Sequence, residues 1–130
     1  MLLGFKREFA VPIKKGTKVF TMRFPRKRPA KIGETLHMYS DLRTKKTRLI
    51  SKKFTLISVQ KVHLKLYAYN QKGYGIRIEV DGVILTSTKL FEFMNKDGFH
   101  SVDEFMNYWM DGKEEVSYNL DLYHWTDLRF

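Results

Sequence analysis

The chain has no cysteine, only three prolines in 130 residues, and no apolar run near the length needed to cross a bilayer. Without cysteine there are no disulfides, thiolate zinc sites or thiol nucleophiles; stability falls to packing, and a reducing compartment fits. A spanning helix needs roughly 18 apolar residues in succession. The opening Met1-Leu2-Leu3-Gly4-Phe5-Lys6-Arg7 is also too short an apolar stretch for a signal peptide. A cytoplasmic location with no membrane partner is therefore expected. Acid is scarce in one half only. Residues 1–60 hold 16 Lys/Arg against Glu8, Glu34 and Asp41, whereas 61–130 hold 8 basic and 11 acidic residues, a split of +13 against −3. Charges serving solubility alone would be interspersed. A gradient this steep concentrates a polyanion on one side of a small protein.

Recognised catalytic signatures are missing as well. There is no phosphate-cradling Gly-rich loop ending in Lys-Ser/Thr, no His-Glu-x-x-His and no Gly-x-Ser-x-Gly. The four histidines, His37, His63, His100 and His124, are far apart and none has a second ligand at helical spacing, so neither a metal nor a cofactor is expected. His124 continues the apolar face of the last strand and reads as a hydrogen-bonded core residue.

What the chain does have is ample core material: 43% hydrophobic and 15% aromatic residues, enough for a single domain over 1–130. Phe9-Ala10-Val11-Pro12-Ile13-Lys14-Lys15-Gly16 predicts one short helical turn stopped by Gly16, followed by a strand from Thr17 to Arg23. Pro25 and Pro29 flank Arg26-Lys27-Arg28 and make that segment a loop. Ile32-Gly33 then opens a second strand through Thr35-Leu36-His37-Met38-Tyr39. Val62, Leu64 and Leu66 alternate with Lys61, His63 and Lys65, and Ile76, Ile78 and Val80 with Arg77 and Glu79. Asp81-Gly82 has the spacing of a two-residue hairpin turn. After Thr86 or Ser87 as N-cap, Leu90, Phe91, Phe93 and Met94 form the stripe of one helix, ending at Asn95-Lys96-Asp97-Gly98. Ser101-Val102-Asp103-Glu104 is a capping-box pattern, and Val102, Phe105, Met106 and Trp109 mark the next helix. Val116, Tyr118, Leu120 and Leu122 then give a long final strand. The expected class is α+β: an antiparallel, barrel-like sheet with a short N-terminal helix and a helix pair before the last strand.

The sharpest chemical hint lies in Gly16-Thr17-Lys18-Val19-Phe20-Thr21-Met22-Arg23. A glycine corner feeds Lys18, Thr21 and Arg23 toward one strand beside the cationic loop. Thr21 and Arg23 share a face at period two, so Lys18 joins them only if it lies in the turn. An ordinary amphipathic strand with solvated cations is the alternative. Asp97 can equally be plain helix-ending chemistry before Gly98. Tyr39, Trp109, Tyr123 and Trp125 are candidates for base stacking, although aromatics in a small sheet protein are usually core.

Gly16-x-Lys18-x-x-Thr21-x-Arg23 resembles the Gly-x-Lys-x-x-Glu/Thr-x-Arg motif of ASCH domains, relatives of the PUA RNA-binding fold. Arg28-Pro29, Gly33-Glu34-Thr35-Leu36-His37-Met38-Tyr39, Arg43-Thr44-Lys45, Asp97-Gly98-Phe99 with Glu104-Phe105, and His124-Trp125-Thr126-Asp127-Leu128 are similar to ASCH-domain proteins common in phage genomes. The resemblance implies a PUA-like antiparallel β-barrel with a positive cleft lined by the motif, and RNA as the favoured ligand. Lys18, Arg23, Arg26, Lys27, Arg28, Arg43, Lys45 and Lys46 are then the expected nucleic-acid contacts. Some family members are small hydrolases, N4-acetylcytidine amidohydrolases or ribonucleases. By analogy Lys18, Thr21 and Asp97 would be catalytic, Asp97 standing one methylene short of the family's glutamate. A third expectation is a phage-type protein that blocks a host enzyme or binds a nucleotide.

Overall fold

The structure, a computed structural model, describes residues 1–68 and 73–130. Its centre is the pairing of β5 (Ser58–Ala68) with β8 (Glu115–His124), antiparallel from Ser58↔His124 to Tyr67↔Glu115. The alternation of β5 sets its orientation: Val62, Leu64 and Leu66 are buried, while Lys61 is exposed and His63 and Lys65 are partly so. From Asp121 onward every residue of β8 is buried, so both its faces are covered there.

β5 also pairs with β6 (Tyr74–Val80), which turns through Asp81-Gly82 into the two-residue β7 (Val83–Ile84). Asp81 at φ 49° and Gly82 at φ 82° supply the two left-handed residues of a twist-matched hairpin turn. β2 (Phe20–Arg23) pairs antiparallel with β8 and closes the order β2-β8-β5-β6-β7. A smaller sheet holds β1 (Leu2–Phe5), β3 (His37–Ser40) and β4 (Arg48–Ser51) in the order β1-β3-β4.

The α+β class is as expected. Among the described residues the strands form two separate sheets and no closed barrel. One feature of the expected sheet is corrected: the arrangement is not wholly antiparallel, because β1 and β3 run parallel. The chain leaves β1 to build α1 and β2 before returning, and such a long excursion permits parallel pairing. On the side of β1 away from β3, side chains stand in place of a ladder. Met1 and Phe5 carbonyls accept from His37 N and Asp41 N on the β3 side, whereas the outward Leu2 and Gly4 carbonyls accept from Arg26 Nη2 at 2.9 Å and Arg23 Nη2 at 2.8 Å.

The helices follow their local signals. A single 3₁₀ turn, Arg7–Phe9, leads into α1 (Ala10–Lys15), which Gly16 ends at φ 80° with its N–H on Ile13 and Pro12 carbonyls. α2 (Ser87–Lys96) starts after Thr86, and α3 (Val102–Met110) after Ser101, whose Oγ accepts from Glu104 N at 3.1 Å. Such a cap is worth about 1 kcal/mol. Phe105 is fully buried, a contribution of about 3 kcal/mol. The stripe expected of α2 is narrower than predicted. Phe93 and Met94 are buried, but Phe91 lies about 100° around the helix from Leu90 and is exposed. No helix among the described residues is long and apolar enough to cross a membrane.

Candidate functional site

The strand expected from Thr17 begins only at Phe20, because the backbone N–H groups of Thr17 and Lys18 both donate to Pro12 O and prolong the turn after α1. Lys18 thus satisfies the condition for convergence. Val19 N then donates to Lys96 O at 2.9 Å, which fastens the lead-in of β2 to the last turn of α2 and brings Lys18 to Asp97. Lys18 Nζ donates to Asp97 Oδ1 at 2.6 Å and to Asp97 O at 2.7 Å, and both side chains are only 3% exposed.

Gly98 follows at φ 92°, and a Cβ there would sit 3.2 Å from Lys18 Cβ and Cδ and from Phe9 Cδ1. Asp97 therefore ends α2, as its plainer sequence reading expects, and is also the partner of Lys18. Lys18 Nζ also lies 4.8 Å from the centre of the Phe9 ring. In this apolar surround burial pulls the Lys18 pKa below its ordinary value and pushes that of Asp97 up, each opposed by attraction to the other.

Thr21 and Arg23 line the same small cavity as Lys18 and Asp97, together with Trp109 and Tyr108. Its volume is about 10 Å³, near the lower limit for one water molecule. Arg23 Nε donates to Thr21 Oγ1 at 3.2 Å, and its guanidinium sits 4.6 Å from the centre of the Phe5 ring. Burial draws the Arg23 pKa down from its ordinary value, with Tyr108 opposing. Trp109 Nε1 is buried with no hydrogen-bond partner among the described residues.

Met22, Arg23, Tyr108 and Trp109 also line an open groove of about 420 Å³. Phe24 and Tyr118 form an edge-to-face pair in it, with centres 5.1 Å apart, and Lys6 and Lys113 add cations against one acid, Asp111. Lys6 Nζ stands 4.7 Å over the Tyr108 ring. The sequence did not single out Phe24, Tyr108, Tyr118, Lys6 or Lys113. The available signal was Tyr108, an aromatic lying off the Val102, Phe105, Met106 and Trp109 stripe of α3.

The other expected contacts are dispersed. Arg26, Lys27 and Arg28 are exposed on the loop after β2, and Arg26 reaches back to β1. Arg43, Lys45 and Lys46 are exposed on the connection from β3 to β4, which Arg7 steadies through a 2.8 Å pair with Asp41. Lys18, the remaining one, is enclosed with Asp97. Of the four stacking candidates Tyr123 and Trp125 are core residues, while Trp109 lines the groove and Tyr39 is half-buried.

His124 is fully buried, with Nε2 2.8 Å from Gln60 Oε1. Gln60 Nε2 donates to Asp81 Oδ2 and Phe130 O, so Gln60 Oε1 must be the acceptor and His124 carries its proton on Nε2. Comparison with protein-family models, with curated proteins and with solved structures finds no match to this chain.

Proposed function

We propose that the protein binds nucleic acid, with RNA favoured, by seating an unpaired base in the aromatic groove beside the Lys18–Asp97 pair and holding the flanking phosphates on the cations around it. The observation carrying this reading is the groove itself. Phe24, Tyr108, Trp109 and Tyr118 supply flat apolar walls, and Lys6, Arg23 and Lys113 supply positive charge. Stacking on such walls is worth about 1–3 kcal/mol per base and tolerates any sequence. Arg26, Lys27 and Arg28 are exposed on the loop that follows Arg23, with Arg26 near enough to act on its charge. The preference for RNA comes from the likeness to the ASCH motif.

Fluorescence anisotropy with labelled single-stranded RNA and DNA over a range of salt tests the reading. Tyr108→Ala should weaken binding about 5-fold or more. Replacing Arg26, Lys27 and Arg28 by glutamine should flatten the dependence of log affinity on log salt by about two units, at about 0.7 per contact on a single strand. Absence of binding to either nucleic acid at low salt overturns the proposal.

A second reading, a small hydrolase of a modified nucleoside or a phosphodiester, is favoured by one observation: Lys18, Thr21 and Asp97 line one cavity. A lysine whose pKa is lowered by burial is a competent base. Thr21 Oγ1 accepts from Arg23, leaving its own hydrogen to donate. Lys18 bonds to Asp97, so the chemistry requires the lysine to turn toward the hydroxyl as substrate enters. Turnover of N4-acetylcytidine or labelled RNA that is lost in Thr21→Val supports it; no turnover, or turnover indifferent to Thr21 and Lys18, removes it.

A further inference from the structure

A second concavity lies between α1 and β4, on the outer edge of the three-stranded sheet. Its volume is about 530 Å³, larger than that of the aromatic groove, and among the described residues its lining contains three lysines and no acid. Lys14 comes from the last turn of α1, and Lys52 and Lys53 from the chain just after β4; all three are exposed. The floor is apolar. Leu49 is 51% exposed, Ile50 is anchored in the core, and Phe54 is braced from behind by Trp125 at 5.9 Å between ring centres.

α1 relates this concavity to the first site. Phe9, at its start, packs on Lys18, and Lys14, near its end, lines the second concavity. The exposed Lys15 and Gly16 lead the chain from Lys14 toward Lys18.

We infer that the concavity formed by Lys14, Lys52, Lys53, Leu49 and Phe54 is a second contact for the same nucleic-acid strand, with phosphates on the three ammonium groups and a base against the apolar floor. The inference rests on the nucleic-acid reading above and assigns the path of the strand, round the C-terminal end of α1. Charge complementarity selects a polyanion: three cations face the concavity without a carboxylate among its lining. A braced aromatic ring beside Leu49 selects a polyanion with flat apolar faces over an acidic peptide, which would need only the lysines.

The test uses the full chain and two single-stranded RNAs, of about 4 and about 12 nucleotides, within the usual range of single-strand site sizes. Only the longer should reach both contacts. In the variant Lys14→Gln/Lys52→Gln/Lys53→Gln the salt dependence for the longer RNA should flatten by about two units, while that for the shorter stays unchanged. Phe54→Leu should weaken only the longer RNA, about 5-fold or more. The three lysines are on the surface, and an unaltered urea midpoint checks that their replacement leaves the fold intact. An unchanged slope for the longer RNA, with wild-type protein binding it, overturns the second contact and leaves the first groove standing. Failure of the wild-type protein to bind either length removes both readings. An unchanged RNA slope together with loss of polyglutamate binding in the triple variant also overturns the inference, in favour of an acidic protein partner.

Discussion

Replacing Lys18 by methionine removes the ammonium and keeps most of the side chain's volume, leaving the Asp97 carboxylate in a site where it is 3% exposed. A buried carboxylate without its cation takes up a proton instead. Holding that proton at pH 7, about three units above the ordinary carboxyl value of 3.8, costs the folded state about 4 kcal/mol at about 1.4 kcal/mol per unit. This agrees with the 3–5 kcal/mol typical of breaking a buried pair, about a third or more of the stability of an ordinary domain. The sign follows from linkage. In the variant the folded-state pKa of Asp97 lies above the unfolded value, so the variant is least penalised at low pH and loses stability as pH rises toward the folded value. The cost should shrink to about 2 kcal/mol at pH 5. Asp97→Asn should behave in the opposite sense, its penalty easing as pH rises and Lys18 sheds its proton. It should also cost less at pH 7 than Lys18→Met, because the bond from Lys18 to Asp97 O survives. The double variant should recover most of the loss, since neither charge is then stranded. Urea unfolding of the four proteins at pH 5, 7 and 9 reads all of this. A Lys18→Met penalty below about 1 kcal/mol at pH 7, or one equal at pH 5 and pH 7, refutes the reasoning, because it means that water reaches the pair.

Three further outcomes are expected. Burial lowers the pKa of His124 to about 4 from 6.5, so its contribution to stability is present above pH 6.5 and lost as pH falls toward 4. The shift amounts to about 3 kcal/mol; His124→Leu should abolish this part of the acid sensitivity in urea titrations across pH 4–7. Gly98→Ala places a side chain at φ 92° and 3.2 Å from Lys18 and Phe9, and should cost about 2 kcal/mol in the same assay. Ser101→Ala should cost about 1 kcal/mol through loss of the cap on α3, with RNA affinity measured by anisotropy unchanged, because Ser101 lines neither concavity.

Features carried by a few neighbouring residues were legible in the sequence. Ser101 with Glu104, Asp81-Gly82, Gly16 and the alternation around Leu64 each encode a cap, a turn, a stop or a face, and the structure places a helix, a hairpin, a corner or a strand at each. The Lys18–Asp97 pair joins residues 79 apart, and only the likeness to a family motif brought them together in advance. The groove walls were illegible for a related reason. Phe24 follows β2, Tyr108 and Trp109 stand on α3, and Tyr118 on β8, so no periodicity links them. The second concavity likewise draws Lys14 and Lys52 from separate elements. The parallel pairing of β1 with β3 escaped prediction because strand direction depends on the route of the intervening chain, and the division of the strands into sheets of three and five is likewise set by contacts between distant segments.

The arginine clasp on β1 has a consequence for how molecules of this protein treat one another. The carbonyls of Leu2 and Gly4 would otherwise form a bare strand margin able to recruit a second chain. Occupying them with the guanidinium groups of Arg26 and Arg23 keeps the margin from becoming adhesive. Two residues beside the proposed ligand groove thereby also act as guards against self-polymerisation.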